Sequence, residues 1–140
     1  MSGRLRVLSV GSTELAHLVR SALLLCPESC LTEVETFWDL CSLSLSEKVQ
    51  VSVAVLDLSS SERELLQNAE HIRRRWPGAV ILLVGDKLPH LDDPLYDERV
   101  ASDIQPGELL DVLERLVAHK RRATRFRHCY LSEGIERHGE

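Results

Sequence analysis

Three short apolar runs, Leu5–Val10, Val51–Leu56 and Ala79–Val84, carry the first structural signal in this chain. Each is rich in β-branched residues and lacks a clean alternation of apolar and polar positions. Such runs suit strands covered on both faces, as in a parallel sheet flanked by helices. Two weaker candidates, Cys30–Phe37 and Arg99–Ile104, have the imperfect pattern of strands nearer a sheet edge. Between the runs the period becomes helical. Ser12 is placed to cap a helix whose stripe is Leu15, Leu18, Val19, Ala22 and Cys26. Phe37–Cys41 suggests a short second helix. Ser61-x-x-Glu64 is a capping box opening a third, with Leu65, Ala69, Ile72 and Trp76 on one face and Pro77-Gly78 as its stop. A last helix starts around Pro106–Glu108 with a stripe of Leu109, Val112, Leu113 and Leu116. That stripe can continue through Ala123, Phe126 and Tyr130.

The element order is therefore β-α-β-α-β-α-β, an irregular piece, then β-α. The irregular piece is 85–98, where Pro89 and Pro94 each remove a donor and crowd the preceding turn, so a regular fourth helix is not expected. The core is expected to hold Val7, Val10, Leu18, Val53, Val55, Ile72, Ile81, Leu83, Leu109 and Leu113. A chain of 140 residues suits one domain with a core of its own. We divide it into a domain over 1–120 and a basic helical extension or tail over 121–140.

Composition adds bounds. Apolar residues are 44% and charged residues 28%, an ordinary globular balance, and the formal charge of −5 argues against nucleic acid as a general partner. The charge is uneven. Lys120, Arg121, Arg122, Arg125 and Arg127 fall within eight residues that contain no acid, leaving twelve bases against twenty-two acids elsewhere, a formal −10. Cys26, Cys30, Cys41 and Cys129 match neither a redox pair nor a zinc knuckle and read as free thiols. No run approaches the ~18 residues of a membrane span and no signal peptide is evident, so a soluble, cytoplasmic protein without a membrane partner is expected. No nucleophile motif, phosphate-loop motif or metalloprotease motif occurs, and no enzyme activity is expected. His17 and His71 sit on helical faces at surface positions rather than catalytic ones.

Asp57 is the residue with the most chemical promise. It closes the run Val51–Leu56, and the carboxyl ends of parallel strands are where open α/β sheets place their sites. Strand, Asp57-Leu58, capped helix, Arg-rich helix end, Pro77-Gly78, next strand and then Gln105-Pro106: this succession resembles a response-regulator receiver domain over about residues 4 to 118. The resemblance implies a doubly wound, flavodoxin-like (βα)5 fold with a five-stranded parallel sheet of order 2-1-3-4-5. It also makes Asp57 the phospho-acceptor position.

The rest of that site departs from the family pattern. Receivers carry an acidic pair after the first strand, where this chain has Gly11 and Ser12. The Ser or Thr that ends their fourth strand is Val84, and the Lys before their proline is Gln105, leaving only Asp57 and Pro106 in place. An aspartyl phosphate needs Mg²⁺ and an ammonium to balance its charge. Gly11 and Ser12 offer no anionic ligand, and Gln105 can hydrogen-bond a phosphate without neutralising it. Glu14 and Asp86 stand near enough to be partial substitutes. The expectation is a pseudo-receiver that binds no metal or cofactor, lacks efficient Mg²⁺-dependent phosphorylation and meets another signalling protein or itself. In that reading Asp57 accepts bonds from loop N–H groups or from Ser12 and the Ser59–Ser61 hydroxyls, and the Gln105–Pro106 bond is cis, as in receivers, turning Gln105 to the Asp57 pocket. Arg121, Arg122, Arg125, Ala123, Phe126 and Tyr130 are the candidate interface, with a homodimer as the simplest product.

Two alternatives stand beside it. One is an active phospho-accepting receiver using Asp57. The other is a flavodoxin-like nucleotide or small-ligand domain, since Val10–Glu14 is similar to the hydroxyl-rich phosphate loop of such folds. Among the six aromatics that could wall a flavin, Phe37 and Trp76 are instead expected to pack inside the fold.

Overall fold

In the computed structural model the described residues are 5–46, 48–59, 61–86 and 96–134, with side chains through Lys120. Five strands, β1 (Arg6–Val10), β2 (Cys30–Val34), β3 (Val53–Asp57), β4 (Val80–Val84) and β5 (Glu98–Val100), pair in parallel in the order β2-β1-β3-β4-β5. Among the described residues four helices accompany them: α1 (Thr13–Leu23), α2 (Phe37–Leu43), α3 (Glu62–Arg75) and α4 (Pro106–Gly134). This is the expected doubly wound architecture.

The missing alternation in the apolar runs has a direct cause. Val53, Val55, Val80, Leu82 and Val84 join α1 and α4 in one cluster, whereas Ala54, Leu56, Ile81 and Leu83 join α2 and α3 in the other. Successive side chains point to opposite faces, and both faces are covered. Nine of the ten expected core residues are buried; Leu18 is only half-buried, packed on the edge of the α1–α4 cluster. Each fully buried Leu or Ile contributes on the order of 1.5–3 kcal/mol.

Element ends follow from identifiable side chains. Ser12, Thr36 and Ser61 cap α1, α2 and α3, accepting from the N–H groups of Leu15, Asp39 and Glu64. Strand β2 stops at Val34, short of the expected Phe37, because the Thr36 cap and its helix take over the chain. Helix α1 ends at Leu23 and leaves Cys26 in the following turn. Pro27 explains this, since the residue before a proline is steered out of helical geometry. Trp76 ends α3 and its indole donates to the Val49 carbonyl at 3.1 Å. Strand β5 is shorter and earlier than expected: beyond Val100 the chain turns, with the Ile104 N–H donating to Ala101.

No peptide bond among the described residues is cis, so the Gln105–Pro106 expectation is corrected. Pro106 is the first residue of α4, where a missing N–H and a fixed φ suit a trans helix start, and Gln105 acts before it by accepting from the Leu109 N–H. The irregular element expected over 85–98 lies, for 87–95, outside the described residues. Helix α4 continues unbroken past residue 120 to Gly134.

Candidate functional site

Strands β1, β3 and β4 end together, and their carboxyl ends with the start of α1 enclose a cleft of about 370 Å³. Asp57, the last residue of β3, stands at its floor. Its Oδ2 accepts the Ser12 hydroxyl at 2.6 Å and the Ser12 N–H at 3.3 Å, and its Oδ1 accepts the Ser59 N–H at 2.9 Å. Both oxygens are thus engaged by the chain's own turns. Burial pushes this carboxyl up, but the Ser12 and Ser59 hydrogen bonds together outweigh it and hold it below the ordinary aspartate value. Ser12 serves at once as the α1 cap and as a donor to Asp57.

Gly11 makes this contact possible. Its φ of +145° lies where side-chain-bearing residues are strained, and a Cβ on it would come 2.5 Å from Asp57 Cβ and 3.3 Å from Leu15 Cδ2. The β1–α1 turn therefore lies flat against the aspartate. Gly85 repeats the arrangement at the end of β4, at φ +157° against the Leu58 side chain.

The cleft walls come from Glu14, Leu15, Leu18, Leu58, Ser59, Val84, Gly85, Asp86 and Ser102. Asp86 accepts from the Ser102 hydroxyl at 2.7 Å and from its N–H at 3.2 Å, which together with Arg99 lower its pKa. Arg99 itself donates to the Gly85 carbonyl at 2.7 Å. Ser102 was not singled out by the sequence; only the early turn after β5 brings it to the wall. Gln105 is exposed, donates to the Asp103 carbonyl at 3.3 Å and does not line the cleft; neither does Pro106. Asp57, Ser12 and Val84 thus meet at the site, with Gly11 packed beneath. The side chains of Arg121, Arg122, Arg125, Ala123, Phe126 and Tyr130 lie outside the described residues.

The resemblance implies Mg²⁺ at this cleft, and the positions it assigns to the metal-binding acids do not supply them. Gly11 and Ser12 present no carboxylate, Asp57 spends both oxygens on internal donors, and of the other two carboxylates on the cleft wall, Glu14 and Asp86, the latter accepts from Ser102. Among the described residues no group of three or more His, Cys, Asp or Glu is placed to hold a metal ion, and none lining the cleft is Lys or Arg.

Elsewhere, His17 is exposed, but His71 is half-buried rather than superficial, edge-on to Phe37 and 2.9 Å from the Ser44 hydroxyl. Burial, then Arg74 and Arg75, lower its pKa. Cys26, Cys30 and Cys41 are free thiols, and no described helix is long and apolar enough to cross a membrane.

No protein-family model and no curated protein sequence matches the chain. Solved structures do resemble it in three dimensions. A response-regulator receiver domain from Methanospirillum hungatei superposes with a TM-score of 0.70 at 14% identity, over 86% of this chain and 99% of that one. A signal receiver domain of an HD-domain protein from Pseudomonas fluorescens gives 0.65 at 19% identity, over 89% and 95%. A putative pilus assembly-related protein from Burkholderia pseudomallei gives 0.62 at 20% identity, over 84% and 92%. The fold is that of response-regulator receiver domains. At these identities the likeness is one of fold alone.

Proposed function

We propose that this domain is a pseudo-receiver: a signalling module that works by binding another protein or a second copy of itself, not as an enzyme and not by efficient aspartyl phosphorylation. Cytoplasmic signalling is the setting we infer for it. One observation carries the reading: both Asp57 oxygens are engaged by Ser12 and Ser59, with Gly11 packed against the same side chain. A phosphoryl group arriving on Asp57 would displace the Ser12 hydroxyl that also caps α1. Its added charge, close to −2, would meet no basic side chain among the described lining residues.

The test is incubation of the whole chain with acetyl phosphate and Mg²⁺ followed by intact mass. The expected spectrum shows unmodified protein. A Mg²⁺-dependent adduct of about 80 Da that is absent from Asp57→Asn would overturn the proposal in favour of an active phospho-acceptor.

A further inference from the structure

The cleft above Asp57 is charged in one sense only. Asp57 is buried at its floor, Glu14 and Asp86 stand exposed on its walls, and no described lining residue is Lys or Arg. Arg99, the base that acts on Asp86, gives its guanidinium to the Gly85 carbonyl at 2.7 Å and does not line the cleft. Asp57 and Asp86 both have lowered pKa values and are ionised at neutral pH. Acids on an open surface would simply be solvated. These face a cavity of about 370 Å³, at the small end of the range for ligand sites, to which Leu15, Leu18, Leu58 and Val84 give an apolar wall. Anionic acceptors beside an apolar wall, with no cation among them, complement a side chain that has an apolar stem and a positive head.

Mg²⁺ and such a head make different demands. The metal needs hard carboxylates in a near-octahedral set and would displace the donors already on Asp57. A guanidinium needs only free lone pairs. A carboxylate has about four acceptor sites, and Asp57 uses two on Oδ2 and one on Oδ1, which leaves Oδ1 able to accept again. Asp86 uses two, both for Ser102, and Glu14 adds a third carboxylate. Five N–H donors on a flat, weakly hydrated plane suit acceptors spread around an apolar wall better than the single ammonium point of a lysine.

We infer that the cleft receives an arginine side chain presented by the partner protein, its stem against the apolar wall and its guanidinium on Asp57 Oδ1 and the carboxylates of Glu14 and Asp86. The inference rests on the interaction-module reading and deepens it by naming the group the partner presents and the place where it goes.

The test is an amide NMR titration of the full chain, free of phosphate and Mg²⁺, with a capped Gly-Arg-Gly peptide and with its citrulline counterpart, which has the same shape and no charge. The arginine peptide is expected to give saturable shifts centred on Ser12, Glu14, Ser59, Asp86 and Ser102, weakening as salt is added. The citrulline peptide is expected to give none, and a lysine peptide to bind more weakly than arginine. The double variant Glu14→Gln, Asp86→Asn keeps an acceptor for Ser102 and is expected to bind the arginine peptide about tenfold more weakly. Should that variant lose its fold, Glu14→Gln alone replaces it, with an expected loss of about threefold. No response to the arginine peptide, an equal response to citrulline or lysine, shifts scattered over the acidic surface, or a folded variant that binds like the wild type overturns the inference. A chain that takes phosphate on Asp57 yet binds the peptide refutes the pseudo-receiver reading alone; one that takes neither refutes this inference alone.

Discussion

Gly11 and Asp57 determine each other. The turn approaches the aspartate so closely that position 11 admits no side chain, and the aspartate holds that turn through Ser12. Placing at position 11 the acid of the receiver pattern, by Gly11→Asp, is therefore expected to destabilise the fold by about 2–4 kcal/mol, from a strained φ and an overpacked contact, without creating Mg²⁺ binding. Thermal melts with and without Mg²⁺ check this; a variant as stable as wild type that melts higher with Mg²⁺ would refute it. Asp57→Ala leaves the Ser12 hydroxyl and the Ser59 N–H without their acceptor and is expected to cost about 1–3 kcal/mol. The pH dependence has a definite sign. The folded-state pKa of Asp57 lies below its unfolded value, so its contribution is complete above the ordinary aspartate range near ~3.9 and disappears as pH falls through the lower folded value. Denaturant melts across that window should show a loss that is absent from Asp57→Asn.

At the scale of elements, the helices stand on single side chains at their ends. Ser61→Ala removes the acceptor for the Glu64 N–H and is expected to cost about 1 kcal/mol by denaturant melt. Trp76→Phe keeps most of the packing beneath α3 but leaves the Val49 carbonyl unpaired, for about 1–2 kcal/mol. The three main strands, the caps and the stop of α3 were readable in the sequence because burial on both faces and local capping chemistry leave direct marks on residue type. Other features were set by contacts between distant positions. The inward Leu18 of the sequence reading is only half-buried because the core-facing side of α1 centres on Leu15, Val19 and Ala22. The short β5 and the placing of Ser102 on Asp86 depend on where the chain turns after Val100, which no local pattern encodes. Gln105-Pro106 was matched to the family by its proline, yet that proline starts α4 and its neighbour faces solvent.

For the whole molecule, the receiver fold brings the ends of β1, β3 and β4 together, and this chain uses that convergence to tie Asp57 to the α1 turn. The carboxylate was legible as a site residue from its place at a strand end. Its partners were foreseen in Ser12 and Ser59, whereas the close packing of Gly11 was visible only in three dimensions. The account's central claim is that Asp57 is held by internal donors and takes no Mg²⁺. It is tested most directly by following the Asp57 side-chain carboxyl carbon by NMR through a pH titration, with and without Mg²⁺. The account predicts a midpoint below the ordinary aspartate range and a curve that Mg²⁺ leaves unchanged. A midpoint at or above that range, or a resonance that moves when Mg²⁺ is added, would contradict it.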